Sequence, residues 1–293
     1  MRYQITQKPL ISVILPVYNA GKYLVEALES LRYQTYPHFE VIAIDDASID
    51  DSYQILKKYA KLDSRFRVFK NKTNLKIATT LNFGLTKAKG SLIARMDADD
   101  ISLPNRLQKQ LNYLKRHLGV VVVGGQCLTI DKDSHITGKK LFPTNHIAIN
   151  ELMYTANPLQ HPSIMINRDL LPKDFVWYNP KLIPAEDLDL YFRLGKFGLF
   201  ANLRSAILMY RQHEDSETFR NPKHTFRVTQ KVRRLAVRKY GYQPSLKSLL
   251  LASAQSLVLS VIPASLVFPL YTLIRRTNIK ETLDNLNLRL ALN

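Results

Sequence analysis

The chain has 293 residues, of which 46% are hydrophobic and 10% aromatic. This apolar content excludes an intrinsically disordered protein and predicts one large domain with an appendage. The formal net charge of +18 indicates an anionic partner, such as nucleic acid, an acidic membrane surface or a phosphorylated substrate. The single cysteine, Cys127, excludes an internal disulfide framework and a cysteine-based zinc site, and fits a reducing compartment. Residues 1–10 carry no long apolar stretch, which predicts no cleavable secretion signal and a cytoplasmic location for the main domain.

Strand and helix patterns alternate along the first hundred residues. Strands are predicted at 11–15, 39–44, 66–69 and 91–96, and helices at 22–32, 52–60 and 77–88. This alternation is typical of an α/β protein with a doubly wound, mostly parallel sheet. Further along, strands are predicted at 120–123 and 161–166, and a helix at 184–194 that opens with acidic residues.

Polar residues follow three of the predicted strands directly. They are Tyr18 and Asn19, Asp45 and Asp46, and the acidic run 97–100. In open α/β sheets, ligands bind beyond the carboxyl ends of the strands. Ordinary turn and cap residues are the alternative, because Asp and Asn are favoured there in any case, but three clusters on one edge favour a binding site.

The acidic run crowds Asp97, Asp99 and Asp100 into four positions after a hydrophobic strand. Their mutual repulsion is costly unless a cation lies among them. Hard oxygen ligands suit Mg²⁺ or Mn²⁺, which bridge to substrate phosphates. The alternative is an acidic cluster that begins a helix.

A second acidic pair, Glu186 and Asp187, begins the predicted helix at 184–194. A carboxylate in this position can remove a proton from an attacking hydroxyl group. The alternative is that the pair only complements the helix dipole. Two histidines, His161 and His213, are candidates for sugar contact and metal ligation, with structural hydrogen bonding as the alternative.

Taken together, the motifs resemble the inverting GT-A glycosyltransferases of family 2, of the bacterial cell-surface polysaccharide type. The matching stretches are 13–20 (VILPVYNA), 45–48 with 50–51, 82–85 (NFGL), 88–90 (AKG), 96–100 (MDADD), 161–163 (HPS), 186–190 (EDLDL) and 210–213 (YRQH). They cover about residues 8–217 in the usual order. The resemblance implies a GT-A, Rossmann-like sheet.

The resemblance also implies roles for individual residues. The residues implied to bind the nucleotide sugar are Pro16, Tyr18, Asn19, Asp45, Asp46, Asn82 and Asp97. His161 and Glu186 would contact the sugar or the acceptor, and Asp99 and His213 would bind the metal. Asp187 would be the catalytic base that removes the acceptor proton. The implied reaction moves a sugar from a nucleotide-diphosphate sugar, UDP-linked, to a hydroxyl of a glycan or lipid-linked glycan. The departure from the usual Asp-Asp-Gly-Ser turn is Ala47, which predicts an ordinary turn without positive φ.

The C-terminal part, 218–293, differs in character from the catalytic part, 1–217. Residues 220–240 hold eight Lys or Arg and no acid, which predicts a basic amphipathic helix. Residues 248–274 carry no charge and are long enough to span a bilayer, but two prolines and basic residues at both ends favour a re-entrant or interfacial hairpin. The pattern predicts a helical, membrane-associating extension at the cytoplasmic face of the cell membrane, on an anionic surface. A helical pair packed on its own domain is the alternative.

Two other functions compete with glycosyl transfer. A sugar-phosphate nucleotidyltransferase would require a glycine-rich basic phosphate loop near the N-terminus, and residues 16–19 (PVYN) do not form one. A nucleic-acid-binding protein would interleave aromatic residues with the basic stretch, whereas 220–240 carries an aliphatic stripe. We therefore expect no nucleic-acid partner.

Overall fold

The structure is a computed structural model that describes Ile5, residues 8–212 and residues 222–261. Within these residues, nine strands form one mixed sheet. The strands are β1 (Ile11–Val17), β2 (Phe39–Asp45), β3 (Phe66–Lys70), β4 (Leu92–Arg95), β5 (Ile101–Ser102), β6 (Val120–Ile130), β7 (Ile136–Lys140), β8 (Met165–Asn167) and β9 (Leu199–Arg211). The helices are α1 (Gly21–Arg32), α2 (Ser52–Leu62), α3 (Lys76–Lys87), α4 (Arg106–Arg116), α5 (His146–Leu152), α6 (Glu186–Leu194), α7 (Pro222–Tyr240) and α8 (Leu246–Val261).

The strand order is β3-β2-β1-β4-β8-β6-β9-β5, with β7 paired to β6. β3, β2, β1 and β4 run parallel, as the alternating pattern predicted, and β6 pairs with β9 in a second long parallel pairing. β8 lies antiparallel between β4 and β6, so the sheet is mixed. The parallel strands β1 and β2 are buried along their whole length, which explains why they are continuous hydrophobic runs in the sequence.

The strand predicted at 161–166 is wrong over its first part. His161–Ser163 form a turn of 3-10 helix, and β8 begins only at Met165. Pro162 has no N–H to donate to a sheet ladder, and the ring of His161 is held against Tyr178 on another segment. The same contacts bring His161 inward to the candidate site.

The hydrophobic core lies on both faces of the sheet. Alternate residues of β1 point to opposite faces: Val13 and Leu15 pack with α1, α2 and α4, and Ile14 packs with α3 and α6. α3 approaches the sheet closely at Gly84, where a Cβ atom would lie 2.8 Å from Cγ2 of Ile14. The glycine of the 82–85 motif is therefore explained by helix–sheet packing.

The two C-terminal helices pack on the α/β unit. Val232 and Ala236 of α7 are fully buried against α6, and the hydroxyl of Tyr240 donates to Asp189 Oδ1 of α6 at 2.7 Å. α8 contacts α7 in turn. The helical character predicted for the extension is confirmed in residues 222–261, while the division at 217/218 stays a prediction.

Across the described ranges, none of the helices combines the length and the apolar character needed to cross a bilayer. The predicted uncharged run 248–274 begins inside α8, and its part beyond residue 261 lies outside the described residues.

Candidate active site

The turns after β1 and β2 are joined by hydrogen bonds at one edge of the sheet. The Asn19 N–H donates to Ser48 Oγ at 3.0 Å, and the Ile49 N–H donates to Asn19 Oδ1 at 3.0 Å. Pro16 is buried within β1, whereas Tyr18 is 49% exposed beside this junction. The structure therefore brings these predicted nucleotide-binding residues together, and gives the side chain of Asn19 a role in holding the turn.

The turn after β2 differs from the sequence prediction. Ala47 has a φ of +60°, so the expectation of an ordinary turn without positive φ is wrong. A left-handed alanine costs about 1–2 kcal/mol. The turn is held in this conformation from outside, because Ser48 Oγ accepts from the Asn19 N–H and the Ile49 N–H donates to Asn19 Oδ1, both at 3.0 Å. Tertiary contacts thus override the local preference of alanine.

Asp45 and Asp46 are both buried at this edge. Asp46 Oδ1 accepts from the amide of Asn71 at 2.7 Å and from the Leu75 N–H at 2.9 Å, so this carboxylate organises the loop before α3. Asp45 Oδ2 lies 3.8 Å from the Lys70 ammonium. Asp45 Oδ1 is buried, and no described group bonds to it. The predicted contacts of both acids with a nucleoside stay predictions.

The acidic run forms a three-carboxylate cluster. Asp97, Asp99 and Asp100 each offer an oxygen atom, and these atoms all lie within 4.8 Å of one another. Asp100 is 1% exposed; its Oδ1 accepts from the Arg211 N–H at 2.9 Å, and no described group bonds to its Oδ2. Burial and the charges of Asp99 and Asp97 raise the pKa of Asp100 well above its usual value. A divalent cation would remove this electrostatic cost.

Arg211 holds the cluster in place. It is 1% exposed, and its Nε donates to the Asp99 carbonyl at 2.8 Å. Its other nitrogens bond to the Asp131 carbonyl at 2.9 Å and to Glu26 Oε2 at 2.5 Å. The 210–213 motif contains Arg211, but the family resemblance implies a role only for His213, which lies outside the described residues.

A second arginine that sequence reasoning missed lies at the centre of the site. Arg95, at the end of β4, is 6% exposed and forms an ion pair with Asp97. Burial disfavours its charge, but Asp97 outweighs this effect and raises the pKa of Arg95. Burial and the Arg95 charge together hold the pKa of His161 well below its usual value, so that imidazole is neutral. The available signal was a charged residue inside an otherwise hydrophobic strand.

The second acidic pair opens α6. Glu186 is 7% exposed, and burial together with the charge of Asp187 raises its pKa to about 8. Burial also raises the pKa of Asp187, although the Leu188 N–H and the Asn157 amide oppose the shift by donating to its oxygens at 2.7 and 2.5 Å. The charges of Arg95 and Asp97 both act on Glu186. The two acidic groups are therefore close enough to interact, and the charge of Arg95 acts on both.

Tyr178 connects two further predicted residues. His161 Nε2 is hydrogen-bonded to the Tyr178 hydroxyl at 2.8 Å. The Asn82 side chain donates to the Tyr178 carbonyl at 2.8 Å and accepts from the Tyr178 N–H at 2.9 Å. Both residues thus position the segment that leads into α6, and their substrate contacts stay predictions. The sequence carried no signal for Tyr178.

Comparisons with known proteins place the sequence among glycosyltransferases. The family model described as "Glycosyl transferase family 2" matches residues 12–175. EpsE of Bacillus subtilis (strain 168) is 34% identical over 224 residues, which cover 75% of this chain and 78% of that protein. The O-antigen biosynthesis glycosyltransferase WbnJ of Escherichia coli is 33% identical over 213 residues, or 71% of this chain and 81% of WbnJ.

Two solved structures share the fold. TarS of S. aureus, crystallised with UDP, superposes with a TM-score of 0.60 at 22% identity, over 78% of this chain and 65% of that chain, which is less than two thirds of its length. The mannosyltransferase PcManGT of Pyrobaculum calidifontis, in complex with GDP-Man and Mn²⁺, superposes with a TM-score of 0.57 at 15% identity, over 94% of this chain and 83% of that chain. These likenesses confirm the GT-A-like α/β fold.

Proposed function

The chain belongs to glycosyl transferase family 2 and is a glycosyltransferase, and on that premise we propose that it moves a sugar from a UDP-sugar to a hydroxyl group of a glycan or lipid-linked glycan, with inversion. The observation that carries the proposal is that the charge of Arg95 acts on two buried or half-buried acidic groups, 97–100 and 186–187. The acidic run 97–100 suits the diphosphate side of a donor. The pair Glu186 and Asp187 suits proton removal from an acceptor. Family membership favours glycosyl transfer over nucleotidyl transfer.

The UDP assignment is supported by fold neighbours. TarS was crystallised with UDP and with UDP-GlcNAc. PcManGT was solved with GDP-Man, so the fold accepts more than one nucleotide, and the choice of UDP is part of the proposal. The junction of Tyr18, Asn19 and the 45–48 turn, at the carboxyl ends of β1 and β2, supports nucleoside binding.

Asp99, together with Asp97 and Asp100, would hold Mn²⁺ or Mg²⁺. All the donors in this cluster are hard carboxylate oxygens, and the buried Oδ2 of Asp100 has no described partner, which fits a divalent cation. PcManGT holds Mn²⁺ on the same fold. When bound, such an ion neutralises the negative charge of the departing nucleoside diphosphate. His213 remains a proposed further ligand.

Asp187 is the proposed catalytic base. It accepts hydrogen bonds from Asn157 and from its neighbour's backbone, which fix the orientation of its carboxylate. Its raised pKa makes it a stronger base than an exposed aspartate. The acceptor proton would move to an Asp187 oxygen as the hydroxyl oxygen bonds to the anomeric carbon and the bond from that carbon to the nucleoside diphosphate oxygen breaks. Glu186, beside it, would contact the sugar or the acceptor.

The test is Asp187→Asn, with exposed Asp174→Asn as the matched control. Purified variants are assayed with a panel of nucleotide sugars for nucleoside diphosphate release, with and without Mn²⁺, and donor binding is measured by calorimetry. We expect Asp187→Asn to abolish transfer while donor binding stays near normal, and the control to behave as the parent. Transfer that survives in Asp187→Asn would contradict the base assignment. Metal independence with every donor would contradict the metal site.

The acceptor and the location are inferred from a relative and from the sequence pattern of the C-terminal extension. WbnJ is named for O-antigen biosynthesis, which supports a role in cell-surface polysaccharide biosynthesis. The sequence pattern of the extension supports a site of action at the cytoplasmic face of the cell membrane. The absence of a nucleic-acid partner stays a prediction.

A further inference from the structure

α8 has its apolar and polar faces the opposite way round from an ordinary surface helix. Leu246, Leu250 and Leu257 form one stripe and are 73, 64 and 69% exposed. The side that packs on the protein carries small residues instead, since Ser248 and Ala252 are 2 and 6% exposed. An amphipathic helix on a water-soluble surface normally buries its leucines. The leucine stripe of α8 therefore faces outward, on the side of the helix opposite Ser248 and Ala252.

The inner face of α8 is held by polar contacts. The Gln230 amide of α7 donates to Ser256 Oγ at 3.2 Å, and the Ser248 hydroxyl donates to the Glu151 carbonyl at 3.3 Å. The Tyr242 hydroxyl, in the connection before α8, donates to the Asn150 carbonyl at 2.6 Å. These bonds fix the rotation of α8 and so keep its leucines directed away from the protein.

A row of basic residues accompanies the leucine stripe. Arg227, Lys231, Arg234 and Arg238 lie at i, i+4, i+7 and i+11 of α7, and all four are exposed. Gln230, which bonds to α8, lies only about 40–60° around the helix from the nearer two of them. Residues 222–261 contain eight Lys or Arg and no Asp or Glu. The basic row thus lies beside the contact of α7 with α8, the helix that carries the leucine stripe.

We propose that α7 and α8 form a docking surface for an anionic lipid bilayer, with α8 lying in the plane of the membrane. The leucines would enter the acyl boundary while the basic row contacts acidic headgroups, a combination typical of interfacial helices. A second copy of this chain is a poorer occupant, because two surfaces with this excess of positive charge would repel each other.

The polar contacts of α8 favour the in-plane orientation over a crossing. Crossing would strip Ser248 and Ser256 of their partners on the protein. The proposal concerns binding alone and can be tested without any transfer assay, so it stands or falls separately from the proposed reaction.

The first experiment measures binding of the full chain to vesicles by flotation. One set of vesicles is pure phosphatidylcholine, and the other contains about one third phosphatidylglycerol. One variant replaces the leucine stripe by serine (L246S/L250S/L257S), and another replaces three charges by glutamine (R227Q/K231Q/R234Q). Matched controls remove the same numbers of exposed leucines or isoleucines and charges elsewhere: L62S/L141S/I147S and K58Q/K61Q/R116Q.

We expect the parent and both controls to bind the anionic vesicles. Each test variant should bind them at least about tenfold more weakly than the parent. The charge variant should also lose the salt dependence of binding. A parent that does not bind anionic vesicles would overturn the proposal. So would a leucine variant that binds as the parent does, or leucine substitutions whose only effect is to dissociate a dimer in light scattering.

The second experiment distinguishes in-plane binding from crossing. The native Cys127 is 1% exposed, and burial raises its pKa to about 12, so it stays unlabelled while introduced cysteines react. A polarity-sensitive fluorophore is attached at Leu250→Cys, Leu257→Cys or the inner position Ala252→Cys. We expect the vesicles to shift emission at the first two positions only, with equal quenching by lipid-attached nitroxides. Depths that differ by about 10 Å would contradict the in-plane orientation.

Discussion

At the residue scale, Arg95 accounts for most of the electrostatics of the site. Its guanidinium pairs with Asp97, and its charge acts on His161, Glu186 and Asp187. The positive charge of Arg95 lowers the pKa values of Asp97, Glu186 and Asp187 and so opposes the rise that burial causes. The proposed donor and acceptor sides of the reaction are therefore coupled through one side chain.

Glu186 gives the first residue-scale prediction, the pH dependence of transfer. Its pKa is raised to about 8 by burial and by Asp187, so the pair retains a proton near neutral pH. The base form becomes available as the pH rises through that value, and kcat should rise with it. In Glu186→Gln the like charge is absent, and we expect the acid limb of the kcat profile to move down by about one pH unit.

The same shift has a consequence for stability. Because the fold favours the protonated form of Glu186, the stability it contributes is present below the unfolded pKa and is lost as the pH rises through about 8. Glu186→Gln should therefore weaken the decline in urea midpoint between acidic and mildly basic pH. An unchanged rate profile together with an unchanged stability profile would contradict the burial of this carboxylate.

Ala47 gives the second residue-scale prediction. Because its φ is +60°, Ala47→Gly should relieve strain that exceeds the entropy cost of glycine in the unfolded chain. We expect the free energy of unfolding to increase by about 0.5–1 kcal/mol, as measured by urea denaturation. The control is Ala60→Gly in α2, where glycine should destabilise by about 1 kcal/mol. Equal losses at both positions would contradict the left-handed turn.

At the element scale, the last strand and the C-terminal helices do much of the positioning. β9 runs alongside β6 and ends at Arg211. The backbone N–H of Arg211 donates to the Asp100 carboxylate, and its guanidinium donates to the Asp99 carbonyl. α7 packs against α6, the helix that presents Glu186 and Asp187. The extension is thus attached to the element that carries the proposed base.

The attachment of α7 gives the element-scale prediction. The Tyr240 hydroxyl donates to Asp189 at 2.7 Å, and Asp189 also pairs with Arg193 at 2.8 Å. Tyr240→Phe should lower the free energy of unfolding by about 1–2 kcal/mol while leaving donor binding unchanged. The matched control is Tyr33→Phe, at a ring that is 68% exposed, which should have little effect on the urea midpoint. A Tyr240→Phe midpoint equal to the parent's would contradict the contact.

How well each strand could be predicted from the sequence depends on its burial in the sheet and on its length. The parallel strands β1 and β2 were predicted because burial on both faces makes them continuous apolar runs. β9 was not predicted as one strand, because its buried stretches 200–202 and 207–208 are separated by the exposed residues Arg204 and Ser205. β5 has only two residues, too few for any periodicity to appear.

At the scale of the whole molecule, a chain with a formal net charge of +18 contains a local cluster of carboxylates. The overall field should steer an anionic nucleotide sugar toward the protein. We expect the association rate of a UDP-sugar to fall about fivefold or more between about 20 and 300 mM salt, with little change in the dissociation rate. Stopped-flow measurements would check this, with an uncharged nucleoside as the salt-insensitive control. Equal salt dependence for both ligands would contradict steering.

The sequence by itself determined the family, the parallel half of the sheet and the acidic residues of the site. These depend on short-range patterns: hydrophobic periodicity, and acids that directly follow a strand or begin a helix. It also determined the basic, acid-free character of the extension, which is a matter of composition.

Only the tertiary structure decided how distant residues meet. The positive φ of Ala47 depends on Asn19, the placement of the cluster depends on Arg211, and the environment of Glu186 depends on Arg95. The outward direction of the α8 leucines likewise depends on contacts with α7. Each of these results from packing and charge between residues far apart in the chain, which no local pattern records.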